Sequence, residues 1–327
     1  MDDPIRYSVI IPVYNEEEVI EFCLKEVSKV LKSLVEPYEI IVVNDGSQDH
    51  TAALVTRQAQ RDPSIKLINL SRNFGHQAAL SAGLDYAQGE AVIFIDADLQ
   101  DPPEVIKKMI TKWKQGWEVV YGQRIKRERE SFFKKATAAF FYRFLRLLSG
   151  QDLPLNAGDF RLLDRKVYQT IRHLPEHHRY LRGLTSWVGF RQCAVPYERK
   201  ARQAGQTKYP LWKMLRLATD AITSFSDKPL KVASLLGLLT AGGGFGYLIY
   251  SFIRYLVGYV VEGWTSLVAL LIIFNGILFM ILGVMGNYIG RIFEEVKGRP
   301  IYIVRDTLGF EKKVDKATRA KARPKRS

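Results

Sequence analysis

The sequence predicts an α/β domain built on a mainly parallel sheet, followed by a hairpin of two transmembrane helices. Three observations predict it. Apolar runs rich in Val and Ile alternate with helical periodicity from Tyr7 to Tyr121. The runs end in turn-forming residues. Two long stretches near the C-terminus, Val232–Ile253 and Trp264–Gly290, contain no charged residue.

Tyr7–Val13 (YSVIIPV) is a β-branched run, and Glu16–Ser33 behind it carries the period of a helix. Glu39–Asn44 (EIIVVN) is a second strand, closed by the turn Asp45-Gly46-Ser47. Thr51–Arg61 reads as helix, Ile65–Leu70 as strand and His76–Ala87 as helix. Ala91–Ile95 (AVIFI) is the fourth strand, and after the helix Glu104–Gln115 the run Val119–Tyr121 continues the sheet. Strands apolar on both faces and separated by helices belong to a sheet covered on both sides. Ligands of such sheets sit beyond the carboxyl ends of the strands. That directs attention to Pro12–Glu16, Asn44–Ser47, Ser71–Gly75 and Asp96–Asp101.

Each uncharged stretch exceeds the roughly 20 residues that cross a hydrocarbon core of about 30 Å. Both are apolar all round and adjacent in sequence, which reads as two spans rather than two buried core helices. No basic region precedes the short apolar run at the N-terminus, so no signal peptide is expected. The connection Gly258–Gly263 carries Glu262 and no Lys or Arg. Lys208, Lys213, Arg216, Lys228 and Lys231 precede the first span, and 12 Lys or Arg against 5 Asp or Glu follow the second. Basic flanks stay on the inner side. The expectation is a multi-pass protein of the inner (plasma) membrane with its α/β domain and both termini cytoplasmic. The expected boundaries are 1–209 for that domain, 210–231 for an amphipathic juxtamembrane helix, 232–290 for the two spans and 291–327 for a basic C-terminal segment, ending in a low-complexity tail.

Of 327 residues, 47% are apolar, which excludes a disordered chain. The only cysteines, Cys23 and Cys193, lie far apart without a CxxC, which excludes a disulfide scaffold or a zinc ribbon. The net charge is +14, yet no nucleic-acid recognition motif accompanies it, so nucleic acid is not an expected partner. Anionic membrane lipid and a phosphate-bearing substrate account for the basic surplus better. Neither GxGxxG nor GxxxxGK[ST] is present, which leaves a dinucleotide fold and a P-loop unsupported. His76, His173, His177 and His178 carry no special expectation: His76 reads as a structural or polar contact near the site, and His177 and His178 follow a Pro-Glu turn and lack metal-ligand spacing.

Asp96-Ala97-Asp98 directly follows the strand AVIFI. Alternation along an extended backbone places both carboxylates on one side. Two hard oxygen donors at that spacing suit Mg²⁺ or Mn²⁺, which takes substrate phosphate oxygens as further ligands. Asp45 in NDGS fits an Asp-Gly turn, and equally a carboxylate that contacts a base or ribose edge. Two basic amphipathic segments, one through Phe132, Phe140 and Leu148 and one through Leu211, Leu215, Ile222 and Phe225, either cover the domain core or lie at the bilayer interface.

These pieces resemble the family 2 glycosyltransferases of the GT-A fold, a Rossmann-like architecture. The matching text is SVIIPVYNEE, VVNDGS, LSRNFGHQAALSAGLDYA and IDADLQDPPE. GDFRLLDRK from Gly158, RGLTSWVGF from Arg182 and RQAGQTKY from Arg202 narrow the likeness to the polyprenyl-phosphate group. That group holds bactoprenol glucosyltransferases and dolichol-phosphate mannose synthases, and with the two spans the resemblance covers roughly residues 5–310.

The resemblance implies roles. Pro12, Tyr14, Asn15 and Glu16 look like the first nucleotide-contact loop, and Asp45 like a base or ribose contact. Asp96 and Asp98 look like the DxD pair, with Asp98 and Gln100 ligating Mg²⁺ or Mn²⁺. Asp159 matches the active-site aspartate, either a base or, by preference, a group that orients arginine and acceptor. Arg124, Lys134, Arg202 and Lys208 look like the cations around the diphosphate and the acceptor phosphate, although Arg127–Lys135 departs from the eukaryotic and archaeal pattern. The implied reaction is inverting transfer of a monosaccharide from a nucleotide sugar to polyprenyl (undecaprenyl) phosphate, with glucose from UDP-glucose placed ahead of aminoarabinose-type sugars, mannose and galactose. A processive polysaccharide synthase should carry QxxRW and more spans, and neither is present. A catalytically silent scaffold would need none of the four aspartates. A homo-oligomer is expected, with the strand-like IYIV of Arg299–Phe310 as a segment that could pair with a neighbouring chain.

Overall fold

The computed structural model describes residues 4–125, 157–176, 179–199, 228–258 and 263–310. Eight strands form one sheet: β1 (Tyr7–Val13), β2 (Tyr38–Asn44), β3 (Ile65–Leu70), β4 (Ala91–Phe94), β5 (Val119–Arg124), β6 (Ala157–Asp164), β7 (Gln192–Tyr197) and β8 (Val304–Leu308). The helices are α1 (Ile20–Lys32), α2 (Thr51–Arg61), α3 (His76–Tyr86), α4 (Val105–Lys114), α5 (Arg165–His173), α6 (Leu181–Trp187), α7 (Lys228–Leu256) and α8 (Trp264–Lys297). Sheet order is β7-β5-β6-β4-β1-β2-β3-β8.

Alternation along β1 splits the core into two layers. Val9, Ile11 and Val13 pack with Ile20, Leu24 and Val27 of α1 and with Ile106 and Met109 of α4. Ile10 faces the other way, with Ala79, Leu80 and Leu84 of α3 and Val167, Tyr168 and Ile171 of α5. Every residue of β1 is buried, as a strand covered on both faces requires. The centre of the sheet is parallel: β1 pairs with β2 and β4, and β2 with β3.

The run after α4 continues the sheet as expected, as β5, with β6 inserted antiparallel between it and β4. Apolar periodicity identifies strands but carries no pairing order. Two details depart from the sequence reading. The fourth strand ends at Phe94, so Asp96 and Asp98 lie on a turn, with Leu99 at a left-handed φ of 52°. Strand alternation therefore does not orient both carboxylates. Finally, the C-terminal strand is the polar VRDTL rather than IYIV, and it pairs antiparallel with β3 of its own chain. The free edge of β3 takes it through the backbone: Ser71 N–H donates to Ile303 O at 2.9 Å. Side chains add a ladder across the register, with Asn44 donating to Asn69 Oδ1 at 2.9 Å and Asn69 donating to Asp306 Oδ1 at 2.5 Å. The Tyr302 hydroxyl also donates to Asp85 Oδ2 at 2.8 Å.

α7 and α8 are both long and apolar enough to cross a membrane. They pack against each other antiparallel, with Gly237 beside Ile281 and Gly244 beside Phe274. β8 follows α8 and joins the α/β sheet, so the exit end of α8 faces the same side as that sheet. The amphipathic segments around residues 132–148 and 211–225, and the tail beyond residue 310, lie outside the described residues.

Candidate active site

The carboxyl ends of β1, β2 and β4 and the start of β6 converge on one acidic cleft. Two loops build its rim. Asn15 adopts φ 54°, a conformation asparagine tolerates, and its Oδ1 accepts Gln48 N–H at 2.9 Å while its own N–H donates to Ser47 Oγ at 3.0 Å. Glu16 N–H donates to Thr51 Oγ1 at 2.9 Å. Tyr14 is exposed on this rim, whereas Pro12 is buried inside β1. The surface the first loop offers therefore starts at Tyr14.

Asp45 is 3% exposed, and its two oxygens accept the N–H groups of Phe74 at 2.7 Å and Gly75 at 2.9 Å. Gly46 beside it has φ 72°, and a Cβ there would stand 2.5 Å from the Arg72 carbonyl carbon. The NDGS turn thus presses backbone to backbone on Ser71–Gly75. Here the carboxylate anchors that loop to the end of β2. Asp45→Ala should orphan both amides and cost about 1–3 kcal/mol. A urea midpoint equal to wild type would remove the anchoring role.

Deeper in the cleft, Asp159 on β6 is held from three sides. His76 Nε2, at the start of α3, lies 3.5 Å from Asp159 Oδ2 and 3.6 Å from Asp96 Oδ1. Arg182 Nη2, on α6, lies 3.4 Å from Asp159 Oδ2. Gln77 Nε2 donates to the same oxygen at 3.4 Å, and its own Oε1 accepts Leu181 N–H at 3.0 Å, so it ties α3 to α6. Burial opposes the charge on Asp159, but the His76 hydrogen bond and the Arg182 and Arg161 guanidinium groups hold its carboxyl well below the usual range. Asp159 Oδ1 is buried and has no hydrogen-bond partner among the described residues.

Asp96 behaves oppositely. Burial pushes it up to about 6, and the carboxylates of Asp159, Asp101 and Asp98 add to that against the pull of His76. The buried Cys23 thiol is pushed up first by burial and then by the charges of Asp98, Asp96 and Glu16. Asp98 Oδ1 accepts Gln100 N–H at 3.1 Å across the turn. Among the described residues, no group of three or more His, Cys, Asp and Glu side chains is disposed to hold a metal ion unaided. Carboxylates that repel one another, as Asp96, Asp98 and Asp159 do here, fit a hard divalent cation that completes its shell with substrate oxygens.

The structure thus brings Asp96, Asp98 and Asp159 together, with Arg124 near the same edge at the end of β5. Lys134, Arg202, Lys208, His177 and His178 lie outside the described residues. His173 sits apart, its Nδ1 against Gln169 O at 2.6 Å. His76 makes the polar contact the sequence allowed, but to two acidic site residues at once. Gln77, Arg161, Arg182, Asp101 and Tyr197 were not singled out. Four of them lie inside motifs that carry the resemblance: Arg161 in GDFR, Asp101 in IDADLQDPPE, Gln77 in LSRNFGHQAAL and Arg182 at the head of RGLTSWVGF; Tyr197 stands in none of them.

A mainly parallel sheet with its carboxylates at this edge is the GT-A type of glycosyltransferase fold, and the chain belongs to the family 2 glycosyltransferases: the family model "Glycosyl transferase family 2" matches residues 8–172. It is a glycosyltransferase. Among its relatives, the uncharacterised glycosyltransferase YkcC of Bacillus subtilis (strain 168) is 51% identical over 96% of this chain and 97% of its own length. The bactoprenol glucosyl transferase of Shigella phage SfII is 41% identical over 92% of this chain and 98% of its own. Of solved structures, glucosyl-3-phosphoglycerate synthase from Mycobacterium tuberculosis, in complex with Mn²⁺, UDP and glucosyl-3-phosphoglycerate, is 20% identical with a TM-score of 0.46, covering 67% of this chain and 78% of that one.

Proposed function

We propose that the protein transfers a monosaccharide from a nucleotide sugar, with UDP-glucose the first donor to test, to a polyprenyl phosphate at the cytoplasmic face of the membrane, inverting the anomeric centre. The observation that carries this reading is the union, in one chain, of the Asp96–Asp98–Asp159 cleft with two apolar helices whose exit strand docks on the catalytic sheet. The likeness to bactoprenol glucosyl transferases along nearly the whole chain supports it.

Asp96, Asp98 and Gln100 would hold Mg²⁺ or Mn²⁺. A divalent cation, when bound, stabilises negative charge on a departing diphosphate. Tyr14, Asn15 and Glu16 line the nucleotide rim, and Asp45 keeps Ser71–Gly75 in place beside it. Arg124, and by sequence Lys134, Arg202 and Lys208, supply positive charge for the diphosphate and the acceptor phosphate. A phosphate monoester has a second pKa near 6, so at pH 7 the acceptor is mostly ionised and needs no strong general base. Asp159, whose proton affinity is held low, then serves to fix Arg182 and His76. Attack from the face opposite the leaving diphosphate inverts configuration.

The test is transfer by the full-length protein to undecaprenyl phosphate across a panel of UDP- and GDP-sugars. Glycolipid formed from UDP-glucose is the expected result. Glycolipid from another donor alone would correct the sugar, and donor hydrolysis unaffected by the lipid phosphate would overturn the acceptor. Topology has its own expected result. In a chain whose two native cysteines are replaced by serine, Gly263→Cys should label from outside the cell and Arg305→Cys only from inside. Labelling of both from one side would exclude the hairpin. The reading also retains a homo-oligomer, although the Val304–Leu308 strand completes its own chain's sheet.

A further inference from the structure

Arg124 is braced by side chains from two separate segments and by a glycine of a third. Tyr197, on β7, is 5% exposed, and Asp101, in the loop after β4, is 1% exposed. The Tyr197 hydroxyl donates to Asp101 Oδ1 and accepts from Arg124 Nε at 3.2 Å. Arg124 Nη2 reaches Asp101 Oδ2 at 3.4 Å. Arg199 Nε stands 3.9 Å from the other Asp101 oxygen, and the Phe160 ring meets Tyr197 edge-on, with centroids 5.7 Å apart. The remaining side is closed by Gly158. A Cβ at that position would lie 2.7 Å from Arg124 Nη2.

An ion pair alone would account for Asp101 having a cation. It does not account for a guanidinium held at Nε and Nη2 together, with its tip against the residue before Asp159 and 29% of its side chain still open to solvent. A free arginine spreads over many rotamers, and tethering removes that freedom before a ligand arrives. Glycine at 158 follows from the same packing. The atom a methyl group would strike is the far end of a flexible side chain, so substitution there should displace the guanidinium more than it disturbs folding.

We propose that Asp101 and Tyr197 are positioning residues that hold the Arg124 guanidinium where a substrate phosphate group arrives, and that residue 158 is glycine because that guanidinium occupies the place of its Cβ. This rests on the reading of Arg124 as a phosphate-facing cation. A preorganised charge acts on kcat more than on ground-state binding when the charge it meets develops during the reaction.

The experiment is a double-mutant cycle on full-length protein, with kcat, donor KM and thermal midpoint measured for each variant. Tyr197→Phe keeps the ring against Phe160 and removes both hydroxyl contacts. It should lower kcat by about tenfold with little change in donor KM or midpoint. Gly158→Ala should do the same. In an Arg124→Ala background, neither substitution should lower kcat further. Equal losses in both backgrounds would overturn the proposal, because Tyr197 and Gly158 would then act independently of Arg124. An impaired Arg124→Ala beside wild-type kcat in Tyr197→Phe and Gly158→Ala would defeat the positioning alone. Wild-type kcat in Arg124→Ala would defeat the reading of Arg124 itself, and positioning with it.

Discussion

Asp98→Asn should abolish sugar transfer and leave the unfolding midpoint nearly unchanged. The side chain is half-buried on the turn after β4, and its Oδ1 accepts the Gln100 amide at 3.1 Å. Asparagine retains that acceptor and the shape, so the folding cost stays at about 1 kcal/mol or less. What is lost is one negative charge from the donor set of a divalent cation. Metal stabilisation of a leaving diphosphate is worth several kcal/mol, and at about 1.4 kcal/mol per decade the rate should fall by roughly 10³-fold or more. Wild-type enzyme treated with EDTA should fall to the same floor. Added Mg²⁺ or Mn²⁺ should restore the wild type and not the variant. Full turnover in chelator, or in Asp98→Asn, would end the metal role of this pair.

The central strands were legible because each is a short Val- and Ile-rich run closed by turn chemistry, and that pattern is local. β6 was not, although its residues were read as a motif. Ala157–Asp164 mixes Gly, Asp and Arg with apolar residues, and its place between β4 and β5 is a matter of pairing, which periodicity does not encode. β8 was misplaced by a few residues for a related reason. An edge strand that joins by its backbone can be polar, so the apolar IYIV drew attention from VRDTL.

The site divides along the same line. Asp45, Asp96, Asp98 and Asp159 stand in short conspicuous motifs at strand ends, where chemistry is expected. Their supports come from elsewhere in the chain. His76 and Gln77 open α3, Arg182 lies on α6 and Tyr197 ends β7. Only tertiary packing puts the four beside carboxylates far away in sequence. The geometry adds to Asp45 a role its motif did not show, since each carboxylate oxygen accepts a backbone amide of the Ser71–Gly75 loop.

Asp159→Asn should cost both activity and stability, and the shape of its pH profile separates the two roles a buried aspartate can have. Asp159 Oδ2 is shared by His76, Gln77 and Arg182, and the guanidinium of Arg161 is 3% exposed close by. Neutralising the carboxylate leaves buried positive charge without its counterion, a change that costs about 3 kcal/mol or more. Because the folded pKa lies below the unfolded value, this contribution is fully present above the ordinary carboxylate range. It is lost as pH falls through the lowered folded value. At neutral pH the destabilisation is therefore complete, and a denaturant midpoint will report it. Turnover should drop by about 100-fold as Arg182 and His76 lose their common anchor. A carboxylate with such low proton affinity is a poor base, so the residual rate should keep the wild-type dependence on pH, set by ionisation of the acceptor phosphate near pH 6. If Asp159 instead removed a proton during transfer, the variant's rate would rise with pH toward hydroxide and its profile would part from the wild type. A profile of that kind, with the midpoint unmoved, would replace the orienting role by a catalytic base.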